Sequence, residues 1–75
     1  MPISSSVFSA LDISTRPKRR RAVLLILTAL SQIHNAEEAY LERIPMNLKN
    51  SQAYAAADYS IDLLTDAIIT LMQAY

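Results

Sequence analysis

The sequence predicts an all-α fold: an antiparallel hairpin of two helices, at about residues 17–44 and 52–75, behind a short N-terminal lead-in, with two hairpins assembling into a four-helix bundle. Three observations predict it. The 75 residues include no glycine, where average usage of about 7% would give roughly five. Turns needing positive φ are therefore few, and multi-stranded β architecture is disfavoured. Apolar residues recur at seven-residue intervals on both sides of a connector around Pro45. Finally, hydrophobic residues make up 52% of the chain and charged residues 19%, a balance too apolar for a disordered tail.

A chain of this length holds at most one small domain. Residues 1–16 form the lead-in, rich in serine and threonine and interrupted by Val7, Phe8, Leu11 and Ile13. The apolar residues at 7, 8 and 11 suit one helical turn capped by Ser6. The hairpin domain covers residues 17–75. Its first helix opens at Pro17, where a missing N–H is harmless. Val23, Leu30 and Ile44 fall in one seven-residue row and Ile26, Ile33 and Tyr40 in a companion row, a seam of coiled-coil type. The stretch Ala22 to Leu30 is apolar almost all the way round and needs more than one neighbour to cover it. Pro45 ends the helix by disfavouring helical geometry at Ile44.

Residues 45–51 make a connector of ordinary length. Asn50 is the candidate for a left-handed conformation in the absence of glycine, and Ser51 for the next N-cap. The second helix carries the cleanest pattern, with Tyr54, Ile61, Ile68 and Tyr75 in one row and Ala57, Leu64 and Leu71 in the other. Pairing Ile44 with Gln52 across the turn places Leu30 near Asp66, His34 near Asp62 and Val23 near Gln73, to within about one helical turn. Tyr75 then returns to the start of the first helix. Two helices have a thin core, so the expected partner is a second copy, in a homodimer or a higher homo-oligomer.

The formal net charge of zero hides two unlike ends. Arg16, Lys18, Arg19, Arg20 and Arg21 stand against Asp12 in the first 23 residues, while six carboxylates stand against Arg43 and Lys49 in the rest. Cations at a helix start oppose the macrodipole, so something else must answer Arg16 and Lys18–Arg21. Three answers compete: acidic groups of the chain end and a partner chain, nucleic-acid phosphate, or an anionic membrane surface. In a eukaryote the run would read as a nuclear-import address. Basic residues followed by Ala22–Leu30, with Ala29 and Ser31 behind, also imitate a signal peptide. The helical seam runs on through that cleavage point, however, and nine apolar residues fall far short of the ~20 that span a bilayer. The expectation is a cytoplasmic protein with no membrane span.

Few residues suggest chemistry. Without glycine there is no phosphate-cradling loop, and without cysteine no disulfide framework or thiolate. His34, Glu37 and Glu38 are the start of a metal or acid–base set, with Asp58 and Asp62 opposite. Carboxylate-bridged bundles need Glu-x-x-His with glutamate first, whereas here histidine comes first. Glu37 shares the register of Val23 and Leu30 and reads as a polar seam position that either marks the seam's frayed end or sets register. Asp58, Asp62 and Asp66 form an i, i+4 row of like charge. The tyrosines read as core residues with wet hydroxyls. No catalytic residue, metal site or cofactor is expected.

Glu37-Glu38, then Ile44-Pro45-Met46-Asn47-Leu48, Ser51, and Ile61-Asp62-x-Leu64-x-x-Ala67-Ile68-x-x-Leu71 together resemble a group of uncharacterised helical-hairpin proteins encoded in bacteriophages and bacterial mobile elements. The resemblance spans about half of the chain. It implies a hairpin in a phage-related setting and transfers no catalytic residue. Those proteins are richer in glutamate, often carry glycine where this chain has Asn50, and as a rule lack the basic run. The reading that follows is a non-enzymatic, self-associating interaction or structural module, with a nucleic-acid-associated accessory protein as the alternative.

Overall fold

A computed structural model describes residues 11–75. The fold is all-helical: α1 (Arg16–Glu42), a single 3-10 turn (Met46–Leu48) and α2 (Gln52–Met72), with α1 and α2 packed as an antiparallel hairpin. The turn expected around Val7 and Phe8, with Ser6 as cap, lies outside the described residues, and Leu11 has no regular structure.

Each end of α1 has a local cause. Thr15 is the N-cap, extended at φ −130° and ψ 162°, and its hydroxyl accepts from the Lys18 N–H at 3.3 Å. This satisfies one of the unpaired amides of the first turn, where Pro17 has none to satisfy. At the other end the Arg43 N–H reaches the Ala39 and Tyr40 carbonyls, and the Ile44 N–H tightens to an i−3 bond on Leu41 at 3.2 Å. Pro45, at φ −59° and ψ 150°, then turns the chain away. The helix closes at Glu42, two residues short of the expected Ile44, because its last turn is already narrowing.

The connector corrects one expectation. Asn50 is not left-handed; no described residue has positive φ. The chain reverses instead through i→i−3 bonds, Leu48 N–H to Pro45 C=O at 2.9 Å and Ser51 N–H to Leu48 C=O at 3.0 Å, which keep every residue in ordinary backbone space. Ser51 caps α2 as its sequence position suggests, accepting from the Tyr54 N–H at 3.2 Å. α2 ends at Met72, where the Gln73 and Ala74 amides take i−3 bonds on Thr70 and Leu71.

Between the helices α2 contributes Tyr54, Ala57, Ile61, Leu64, Ile68 and Leu71, all buried or half-buried. On α1, Val23, Ile26, Leu30 and Ile44 are half-buried. The companion row differs from the expected one. Leu27, His34 and Leu41 turn inward, while Ile33 is 53% exposed and Tyr40 42% exposed. The cause is geometric. Spacings of 3-4-3-4 and 4-3-4-3 both keep residues beside the Val23, Leu30, Ile44 row, one on each side of it. A helix apolar almost all round from 22 to 30 admits either. Only Ala22, at 6% exposure, and Ala57, at 3%, are buried outright among the described residues, and no large side chain is.

Candidate interaction surfaces

Three features of this hairpin can meet a partner: the basic open end, a polar crossing between the helices, and the outward flank that carries Ile33 and Tyr40.

The basic end is partly answered from within. Asp12 accepts from both the amide and the hydroxyl of Ser14, at 3.0 and 2.7 Å, and its other oxygen lies 2.7 Å from Lys18 Nζ. The Lys18 ammonium first, then the Ser14 hydroxyl and amide, hold this exposed carboxyl down at about 2. Arg19 donates to the Ile13 carbonyl at 3.1 Å, so the lead-in is tied to the start of α1 at two points. The Arg16 guanidinium carbon lies 4.9 Å from the centre of the Tyr75 ring, a cation–π distance. Tyr75 thus lies beyond α2 and 41% exposed, closing the hairpin's open end. Arg20 and Arg21 have no acidic partner among the described residues, and with Arg16, Pro17, Leu24 and Tyr75 they line an open cleft.

The polar crossing is His34. Its Nε2 lies 3.0 Å from Thr65 Oγ1, and the Thr65 hydroxyl donates to the Ile61 carbonyl at 2.8 Å. The threonine proton is therefore used along α2, and the imidazole Nε2–H is the donor between helices. Nδ1 faces Glu38 Oε1 at 3.3 Å. Thr65 lies one turn from Asp62, the neighbour expected for His34. Among the described residues, no three His, Asp or Glu side chains come together in metal-binding geometry. Glu37 is half-buried at the seam, while Asp58, Asp62 and Asp66 are exposed.

The two sides of the seam are chemically unlike. One groove is lined by Leu24, Thr28, Gln32 and Asn35 of α1 with Ile68 and Met72 of α2, and this side carries the polar residues. The opposite groove is lined by Leu30 with Ala67, Thr70, Leu71 and Ala74, with Asp66 at its edge. On that side, helical spacing aligns Ile26, Ala29, Ile33, Ala36 and Tyr40 along α1. None of them is charged.

Sequence reasoning counted Asp12 among the charges but missed its turn and ion-pair role, and it missed Thr65. The signal for Asp12 was present, since Asp-x-Ser-Thr ahead of Pro17 is Asx-turn and N-cap chemistry. Thr65 carries no local signal, because its role is made by a residue 31 positions away. No helix among the described residues is long and apolar enough to cross a membrane. Compared with protein-family models, curated proteins and solved structures, the chain has no match in any of the three.

Proposed function

We propose that this protein is a non-enzymatic, self-associating helical-hairpin module of the cytoplasm, in which two hairpins complete a four-helix bundle that acts by interaction and not by chemistry. One observation carries the reading: Ile33 and Tyr40, two of the three residues of the more apolar companion row, flank the seam instead of filling it, while Leu27, His34 and Leu41 are turned inward. An isolated hairpin loses that burial. A second copy recovers it, in keeping with the thin core of so small a chain. The resemblance over residues 37–71 extends the proposal to a phage-related setting. Sedimentation equilibrium on the intact chain tests it. A mass of twice the 8.4 kDa chain or a higher multiple is expected, and a folded monomer across the micromolar range refutes it.

A nucleic-acid-associated role is the second reading, favoured by Arg20 and Arg21 beside the open cleft without acidic partners among the described residues. Self-association would gather several such clusters into one multivalent patch. The test is fluorescence anisotropy on single- and double-stranded DNA and RNA across a salt series. The comparison is with a variant in which Lys18, Arg19, Arg20 and Arg21 are all alanine. Salt-sensitive binding lost in the variant supports this reading, and no binding at low salt removes it.

A further inference from the structure

We infer that the second copy docks on the flank that carries Ile33 and Tyr40 with its connector at the opposite end, so that the basic open end of each hairpin lies over the carboxylate-rich half of its partner. This rests on the self-association proposed above and specifies the surface and the arrangement.

The surface follows from the seam's two sides. The α1 wall of Ile26, Ala29, Ile33, Ala36 and Tyr40 borders a groove lined on the α2 side by Ala67, Leu71 and Ala74 with Asp66 and Thr70 at its edge, and helical spacing carries that side on through Ala56, Ser60 and Leu63. Leu63 is 51% exposed there, much like Ile33 across from it. Large residues (Ile26, Ile33, Tyr40 and Leu63) set among small ones (Ala29, Ala36, Ala56, Ser60, Ala67 and Ala74) give a stepped surface that a copy of itself can interdigitate. The opposite side, with Thr28, Gln32 and Asn35, has no such wall. Two helices side by side over the length of α2 present roughly 30 Å by 20 Å. That is ~600 Å² of projected area, close to the ~800 Å² per partner of standard interfaces.

The arrangement follows from charge. A twofold axis between two such flanks either aligns the connectors at one end or sets them at opposite ends. The aligned form stacks Arg16 and Lys18–Arg21 of both copies together, and likewise Glu37, Glu38, Glu42, Asp58 and Asp62 of both. Asp12 is the one carboxylate paired within the open end among the described residues, to Lys18, while Arg16 rests on the Tyr75 ring and Arg19 on the Ile13 carbonyl, contacts that cancel no charge. The opposed form sets each basic end against the connector half, where these five carboxylates outnumber Arg43 and Lys49, and the two basic clusters no longer meet within a Debye length of about 10 Å.

The chain lacks cysteine, so one nitroxide can be placed at the exposed connector residue through Lys49→Cys. Pulsed dipolar EPR then reads the distance between connectors. The opposed dimer gives a separation above about 30 Å, set by the length of the helices. A separation under about 20 Å means aligned connectors; it overturns the arrangement and leaves self-association standing. No dipolar coupling means a monomer and overturns both, including the case in which the chain's own residues 1–10 cover the flank. Salt gives an independent reading on the unlabelled protein. The opposed dimer weakens severalfold as sodium chloride screens the facing ends, whereas an aligned dimer tightens, and tightening overturns the inference.

Discussion

Truncating Ile33 to alanine separates a covered flank from a solvated one. In the single hairpin the side chain is 53% exposed, and full burial of an isoleucine is worth about 1.5–3 kcal/mol. Covering the remaining half against a second copy is therefore worth about 1 kcal/mol per chain. Twofold symmetry doubles this to about 2 kcal/mol per dimer, a ~30-fold rise in Kd on truncation. Leu24 is the internal control: it is 55% exposed, loses a similar area on truncation, and lies on the polar side of the seam. Leu24→Ala leaves Kd within a fewfold of the parent, since exposed positions shift stability by no more than about 0.5 kcal/mol. Sedimentation velocity over a concentration series measures both, with circular dichroism to verify helicity. Equal weakening by the two variants, or weakening by Leu24→Ala alone, refutes the choice of flank.

Other substitutions probe the hairpin itself. Leu64→Asp sets a charge in the half-buried seam with no cation opposite, and both helicity and native mass are lost; unchanged values contradict the packing described. Ser51→Ala removes the N-cap of α2 and lowers unfolding stability by about 1 kcal/mol in a denaturant titration. The Asp12 carboxyl, followed by NMR, titrates near 2 and returns toward 3.8 in Lys18→Ala. Because its folded pKa is depressed, its contribution to stability is complete above about pH 4 and disappears as pH falls through about 2. An unshifted Asp12 contradicts the Asp12–Lys18 pair, one of the two ties between the lead-in and α1.

The hairpin was legible because its signals are local. Pro17, Pro45 and Ser51 punctuate the chain, and the α2 row from Tyr54 to Leu71 keeps its spacing in the structure almost residue for residue. The return of the chain end to the basic run also followed from counting across the turn, and the Arg16–Tyr75 contact is its physical form. What stayed hidden is non-local. Periodicity could not choose between the rows led by Ile26 and Leu27, since α1 is apolar on both sides there. Ile33 and Tyr40 look like the better core, and His34 becomes acceptable inside only through the Thr65 oxygen on the other helix. The missing glycine pointed to Asn50 for a left-handed turn, yet a 3-10 turn after Pro45 makes the reversal without one. For the interaction surfaces, the sequence located the cations and Asp12 but not their pairing: Lys18 takes Asp12, Arg16 the Tyr75 ring and Arg19 the Ile13 carbonyl, which leaves Arg20 and Arg21 as the cations of the run with none of these contacts among the described residues.

The most direct test of the central claim is an isotope-filtered NOE experiment on an equimolar mixture of labelled and unlabelled chains. A flank covered by a second copy gives intermolecular NOEs from the Ile33 methyls and the Tyr40 ring to methyls of the partner copy, and none from Leu24 or Met72. Absence of intermolecular NOEs, with the rotational correlation time of an 8.4 kDa monomer, contradicts it.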